Sequence, residues 1–470
     1  MDLAVVNTNL LTFSGKGLGI IRDGAVGMDG DRISFVGESN NMDTGDVREV
    51  MDGSGCVTMP GLIDAHAHTG LSLLRGAAQD MPELQWMKKG LAPFAAHMDE
   101  EDMIAGCRLG VLEGLRAGTT TFCEYARNVE ELVRKVYQPF NTRVVAVETL
   151  NEVVGVTSEK GVYELDPSLG DVCLKRANKL VKGFKGQTMV RPCYGPQAMD
   201  MLSLDLLEEI NSLSKENDVD IHMHVAQGER ERIQVTERYG RSSVEQADKM
   251  GLLHPGMVAI HCHDTSQDEK EMIVSRGARV VCCPSSISMI DGIVPPVHDF
   301  ITLGAPVGLG SDQAPGPGTH NIFKEMRTAS LLTKVRHTDP TLLPSWQVLK
   351  LGTIGGARAL GIHDLVGSLE VGKYADIITV NLNKANLVPY VTTPFHNFVP
   401  NLVHSSSGGE VRDVIVNGRV IMKDRCLLDI DENRVIGAAQ ERASKLFERG
   451  AEAWWATNNH MVQDVRNGYY

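Results

Sequence analysis

The sequence predicts an α/β protein, a (β/α)8 TIM-type barrel carrying a small β-sandwich domain formed by both chain ends. Three observations predict it. Between residues 59 and 366, strand-like runs alternate with helical stretches, the pattern of repeated βα units. Residues 1–58 and 367–430 carry short strands with hairpin turns, and neither stretch has enough strands for a core of its own, so the two ends are expected to pair. No G-x-G-x-x-G follows the first strand, which sets aside the doubly wound sheet as the competing layout. Residues 431–470 are read as a C-terminal helical tail.

Along the chain, "GAVGMDGDRISFVGES" places Asp29-Gly30 between two alternating runs, a hairpin signal in the N-terminal part. "CVTMPGLIDA" then reads as a buried strand that finishes on His66-Ala67-His68. "GTTTFCEY", the helical "NVEELVRKVYQ" and "NTRVVAVETL" follow. Next come "TMVRPCYGP", a helix through "SLDLLEEINSLSKEN", and "VDIHMHVAQ". A helix around "SSVEQADKMGLL" precedes "MVAIHCHDT", "ARVVCCPSS" and finally "APVGLGSDQ". The C-terminal part supplies "GKYADIITVNL" and "VRDVIVNGRVIMKD", in which Asn417-Gly418 marks a second hairpin.

Composition narrows the function classes. With 470 residues, 42% of them hydrophobic, the chain can bury a large core and a second domain. A net charge of -14 with interspersed signs and no basic stripe argues against nucleic acid and anionic membrane as partners. No run of about 18 apolar residues is present. The N-terminus has no basic segment ahead of an apolar core, so no signal peptide is expected. Nine scattered cysteines without C-x-x-C pairing read as reduced thiols of a cytoplasmic protein, and not as a disulfide framework or thiolate zinc site.

The chemistry lies at the strand ends. In an extended chain residues i and i+2 share a face, so His66 and His68 can address one cation. His224 in "HMHVAQ", His261 in "AIHCHD" and Asp312 in "GLGSDQ" end other predicted strands. In a (β/α)8 barrel those ends converge on the C-terminal face, where active sites sit. Four neutral imidazoles and a carboxylate around one cavity have the make-up of a catalytic zinc-type site.

"PGLIDAHAH", "HMHVAQ", "AIHC" and "GLGSDQAPGPGTHNIFKEMR", followed by "GSLEVGKYADIITV", resemble the amidohydrolase superfamily over nearly the whole chain. More narrowly they resemble its branch of triazine hydrolases, cytosine and guanine deaminases, and S-adenosylhomocysteine deaminases. The resemblance implies that His66, His68, His224 and Asp312 bind a single divalent metal, zinc first, with Fe2+, Mn2+ or Co2+ as alternatives. It places His261 close to the reacting atom, gives the protein a small-molecule substrate and implies a homo-oligomer.

Two departures shape the expected activity. Deaminases of this branch resemble H-x-x-E after the fifth strand, where the Glu moves a proton to a ring nitrogen; here the position is Gln227. They commonly carry "GPH" one strand earlier, where this chain has Gly195-Pro196-Gln197. A glutamine side chain donates and accepts hydrogen bonds but transfers no proton at ordinary pH. The expectation is therefore a metal-dependent hydrolase of a non-peptide C–N bond in a urea, carbamate or amide, whose oxyanion needs no ring protonation. "HVAQ", "GSDQAPG" and "VCCPSSISMIDGIVPP" also resemble phenylurea and thiocarbamate herbicide hydrolases. The alternative is an aminohydrolase of a purine, pterin or s-triazine ring; a catalytically silent scaffold ranks behind both. In the expected mechanism Asp312 takes the attacking water's proton and passes it to the amine, and His261 steadies the oxyanion or orients the nucleophile. Gln227 and Gln197 would hydrogen-bond the substrate, and His320 and Asn321 would line the pocket. His222 and His263 are secondary candidates, with His222 expected one layer deeper as a core residue.

Overall fold

Two sheets divide the chain, and the break between them falls inside the apolar run that leads to the histidine pair. The computed structural model describes residues 1–156 and 161–470. Cys56–Pro60 lies in the terminal sheet, whereas Leu62–Ala67 is the first barrel strand. Gly61 joins them at a point of close approach: a Cβ there would meet Thr120 Oγ1 at 2.1 Å, so no larger residue fits without moving the second barrel strand.

The barrel contains eight parallel strands in chain order: Leu62–Ala67, Thr119–Ala126, Arg143–Leu150, Val190–Pro196, Ile221–Val225, Met257–His261, Arg279–Cys282 and Val307–Leu309. Most of their residues are buried, which is why they read as apolar runs and not as alternating strands. Closure comes from a parallel bridge between Ala67 and Asp312. Asp312 N donates to His66 O at 2.9 Å, and His68 N donates to Asp312 O at 2.8 Å. The backbone that closes the barrel thus carries three of the predicted metal ligands. Helices start where their caps predict: Ser203 accepts from Leu206 N at the head of Leu204–Asn217, and Ser242 and Glu245 form a capping box at Ser243–Lys249. A short hairpin between Val153–Val156 and Tyr163–Leu165 follows the third strand, an element absent from the sequence reading.

The strands of the two chain ends pair into one sheet, as expected. Cys56–Pro60 pairs antiparallel with Ile377–Asn381 and links the N- and C-terminal strands into a nine-stranded sheet. Leu3, Val5, Val26 and Met28 share one core with Leu369, Ile377 and Ile415. Asn417 and Gly418, both at positive φ, turn Val411–Val416 into Arg419–Lys423. The tail forms the helices Glu432–Ala456 and His460–Arg466, and its Ala439 and Leu446 pack with Leu91 and Phe94 beside the barrel. Arg442 and Arg449 both reach the fully buried carboxylate of Asp102. Among the described residues no helix is long and apolar enough to cross a membrane.

Candidate metal centre

His66 and His68 extend from the first strand, His224 from the fifth, and Asp312 follows the eighth. Ligand atoms of His66, His68 and His224 lie within 4.8 Å of one another, as do those of His66, His261 and Asp312. Asp312 Oδ1 stands 3.5 Å from both His66 Nε2 and His68 Nε2. The two rings of the H-x-H pair lie 4.7 Å apart between centroids, as the two-residue strand period requires. Strands one and eight approach closely here: a Cβ on Gly310 would lie 2.7–2.9 Å from His66 O, Cβ and N. His261 and Asp312 both adopt positive φ, and such strained backbone is a feature of functional sites that the surrounding structure holds in place.

Neighbouring groups fix the ring orientations. His68 Nδ1 bonds Tyr125 O at 2.7 Å and His224 Nδ1 bonds Gln197 O at 2.8 Å, so each ring presents Nε2 to the cluster. Burial first, and the adjacent imidazoles second, hold His66 and His224 well below the ordinary histidine range, so both are neutral at pH 7. Burial does the same to His261, against the nearby Asp312. His66 and His261 are fully buried and none of their ring nitrogens has a hydrogen-bond partner. Four unsatisfied buried nitrogens beside a carboxylate fit a divalent cation, since burying such groups unpaired is costly. Ser286 Oγ donates to Asp312 Oδ2 at 2.5 Å, and the Asp64 carboxylate accepts from Ser311 N at 2.9 Å and Ser311 Oγ at 2.5 Å. Burial pushes Asp64 up to about 7.

The remaining expected residues divide. Gln197 and Gln227 line a cavity of about 600 Å³ whose floor carries His68, His224 and Asp312. His320 and Asn321 do not line it, and that expectation is corrected. His320 is fully buried between Ser311 Oγ at 2.8 Å and Ser72 Oγ at 3.2 Å. Asn321 caps the helix Ile322–His337 by accepting from Phe323 N, and its amide donates to Ser407 O. Hydrogen bonds to the Ser311 and Ser72 hydroxyls hold His320 away from the cavity, and the helix cap and the Ser407 carbonyl hold Asn321. His222 lies deeper, as expected, with Nδ1 3.3 Å from Cys123 Sγ, and burial lowers it to about 3. His263 packs beside His261, the ring centroids 6.3 Å apart.

The walls contain charged residues that the sequence reading passed over. Arg230 is buried, its Nε 2.8 Å from Glu83 Oε1, and its other guanidinium arm reaches Asp200. Glu83, Arg230 and Asp291 all line the cavity. Glu83 and Arg230 come from helix starts with ordinary surface-like composition, so no local motif marks them.

Comparison with known proteins supplies the family. The profile described as Amidohydrolase family matches residues 57–421. The chain is 33% identical over 453 residues to a 5'-deoxyadenosine deaminase of Methanosarcina barkeri, covering 95% of this chain and 99% of that one. It is 30% identical over 449 residues to a 5-methylthioadenosine/S-adenosylhomocysteine deaminase of Pelotomaculum thermopropionicum, covering 95% and 99%. Its fold matches a zinc-bound adenosine deaminase from Xanthomonas campestris with a TM-score of 0.87 at 24% identity, covering 95% of this chain and 98% of that one. It also matches a zinc complex of atrazine chlorohydrolase from Arthrobacter aurescens with a TM-score of 0.83 at 20% identity, covering 94% and 100%. The expected likeness to phenylurea and thiocarbamate hydrolases finds no support among these relatives, which fit the aminohydrolase alternative better.

Proposed function

The chain belongs to the amidohydrolase family, and from that premise we propose that it is a metal-dependent aminohydrolase, replacing the ring amino group of an adenosine-type nucleoside with oxygen from water. The observation that carries this reading is the near full-length relationship, at 30–33% identity, to proteins named as deaminases of 5'-deoxyadenosine and 5-methylthioadenosine. A divalent ion held by His66, His68, His224 and Asp312, zinc being the first choice, would supply activation of the attacking water.

The chain's own groups do the rest. Asp312, with Ser286 holding Oδ2, carries a proton from the water to the departing amine. His261, buried and neutral, faces the same cluster and hydrogen-bonds the oxygen that becomes the product carbonyl. Gln197 and Gln227 offer neutral amides to the ring's edge. A cavity of about 600 Å³ lies within the usual range for small-molecule sites. Its Glu83 carboxylate is suited to accepting hydrogen bonds from sugar hydroxyls.

One observation favours a second reading. Gln227 cannot protonate a ring nitrogen, and a urea or carbamate carbonyl would not ask it to. The zinc-loaded protein, assayed for ammonia from adenosine, 5'-deoxyadenosine and 5-methylthioadenosine and for amine from phenylureas and carbamates, separates the two. Ammonia from the nucleosides supports the first; amine release alone replaces it with the second.

A further inference from the structure

We propose that Asp291 supplies the carboxyl that Gln227 cannot: placed beside Gln227 in the cavity wall, it passes a proton to a ring nitrogen of the substrate as water attacks the adjacent carbon. The inference rests on the aminohydrolase reading and concerns a residue outside the metal cluster.

Geometry singles out Asp291. Gly228, the residue after Gln227, has φ 87°, and the point its Cβ would occupy lies 3.4 Å from His263 Nε2, 3.6 Å from Asp291 Oδ1 and 3.7 Å from Glu83 Oε2. Two carboxyls and an imidazole therefore crowd the backbone immediately after the position where an acid is missing. Glu83 is committed to the Arg230 guanidinium at 2.8 Å, whose charge opposes the burial that raises its carboxyl. The Asp291 carboxylate accepts no hydrogen bond from a protein donor among the described residues, and a basic side chain it faces is His263, whose Nε2 stands 3.7 Å from Asp291 Oδ2. The His263 side chain is fully buried and neither ring nitrogen has a hydrogen-bond partner, so the pair has unused polar capacity at the cavity wall. Asp291 shares that cavity with His224, Gln227 and Asp312.

Charge agrees with the geometry. The groups facing Asp291 are His263 and Asp264 after the sixth strand, Glu83 and Arg230 from two helix starts, and Asp312. Burial first, then Glu83 and Asp312 against Arg230, push its carboxyl up to about 7. A carboxyl in that range can both give and take a proton at neutral pH.

The protons balance. The Asp291 O–H bond breaks as the ring N–H bond forms and the water oxygen bonds to carbon. Asp312 carries one water proton to the amine, the C–N bond breaks and ammonia leaves. The remaining hydroxyl proton returns to Asp291 as the carbonyl forms, so amine and water become oxo product and ammonia with both carboxyls restored.

The test is Asp291→Asn in zinc-loaded protein, followed by Gln227→Glu in that background. Asp291→Asn should lower kcat for nucleoside deamination by about 100-fold or more, the usual weight of a proton-transfer group, with KM within a few-fold and zinc content unaltered. Adding Gln227→Glu should recover at least tenfold, because it restores a carboxyl next to the vacated one. Asp291→Ser carries the same expectation should the amide disturb the loop. Asp291→Asn within threefold of the parent, or a double variant no faster than the single one, would overturn the proposal. If the parent releases no ammonia from any nucleoside or amino-heterocycle, the functional reading falls and this proposal with it. If the parent turns over and Asp291→Asn does too, only this proposal falls.

Discussion

Replacing Asp312 by Asn removes a charge and a proton carrier with almost no change of shape. Asp312 is 3% exposed, its Oδ1 lies 3.5 Å from His66 Nε2 and from His68 Nε2, and Oδ2 accepts from Ser286. The amide oxygen can still take the Ser286 hydrogen bond, so the loss falls on chemistry and charge and not on packing. A positioned general acid–base group contributes about 10²–10⁴ in rate, which at about 1.4 kcal/mol per decade is roughly 3–5 kcal/mol of transition-state stabilisation. Loss of the one anion among the proposed ligands should also weaken the hold on the cation. The assay is kcat/KM for ammonia release at fixed excess zinc, with zinc per chain measured on the same sample. A variant with full zinc and a rate within tenfold of the parent would refute Asp312 as the proton carrier.

Three further outcomes are expected. His224→Ala should lower both zinc content and turnover, because a three-histidine set loses its geometry with one member missing; retention of full metal and rate would remove His224 from the ligand set. Gly310→Ala should do the same while leaving every proposed ligand residue in the sequence, since its Cβ would press on His66 at 2.7–2.9 Å from that residue's backbone and Cβ atoms; zinc titration and a melting curve indistinguishable from the parent would contradict this. Glu325 is fully buried and pushed up to about 8 from an ordinary 4.5, burial being the main cause, so the folded protein keeps a proton that the unfolded chain releases. That group's contribution is fully present below pH 4.5 and is lost as pH rises towards 8. Glu325→Gln lacks the slope, so from pH 5.5 to 7.5 it should gain roughly 2–3 kcal/mol on the parent in denaturant titrations at fixed zinc; a constant difference between the two proteins would refute it.

The barrel and its floor were legible because they rest on local signals. Apolar runs marked the strands, and a His or Asp at the end of such a run must point where the strand ends converge. The H-x-H spacing alone put His66 and His68 on one face. The walls were not legible, because Glu83, Arg230 and Asp291 meet only through tertiary approach. Gln227 read alone pointed to carbonyl chemistry; the carboxyls around Gly228 could not be read from its neighbours in sequence. His320 and Asn321 misled for a related reason: a polar side chain can turn into the cavity or satisfy neighbouring hydroxyls and backbone, and only packing decides. The run "CVTMPGLIDA" concealed two strands in two sheets, since both are buried and one glycine separates them.

At this centre water is proposed to replace a ring amino group. Zinc-loaded protein incubated with 5'-deoxyadenosine in 18O-labelled water tests it most directly, by mass spectrometry of the nucleoside and by ammonia titration. One labelled oxygen in the product and one ammonia for each nucleoside consumed are expected. An unchanged nucleoside, from protein that under the same conditions splits a phenylurea or carbamate to its amine, would contradict it.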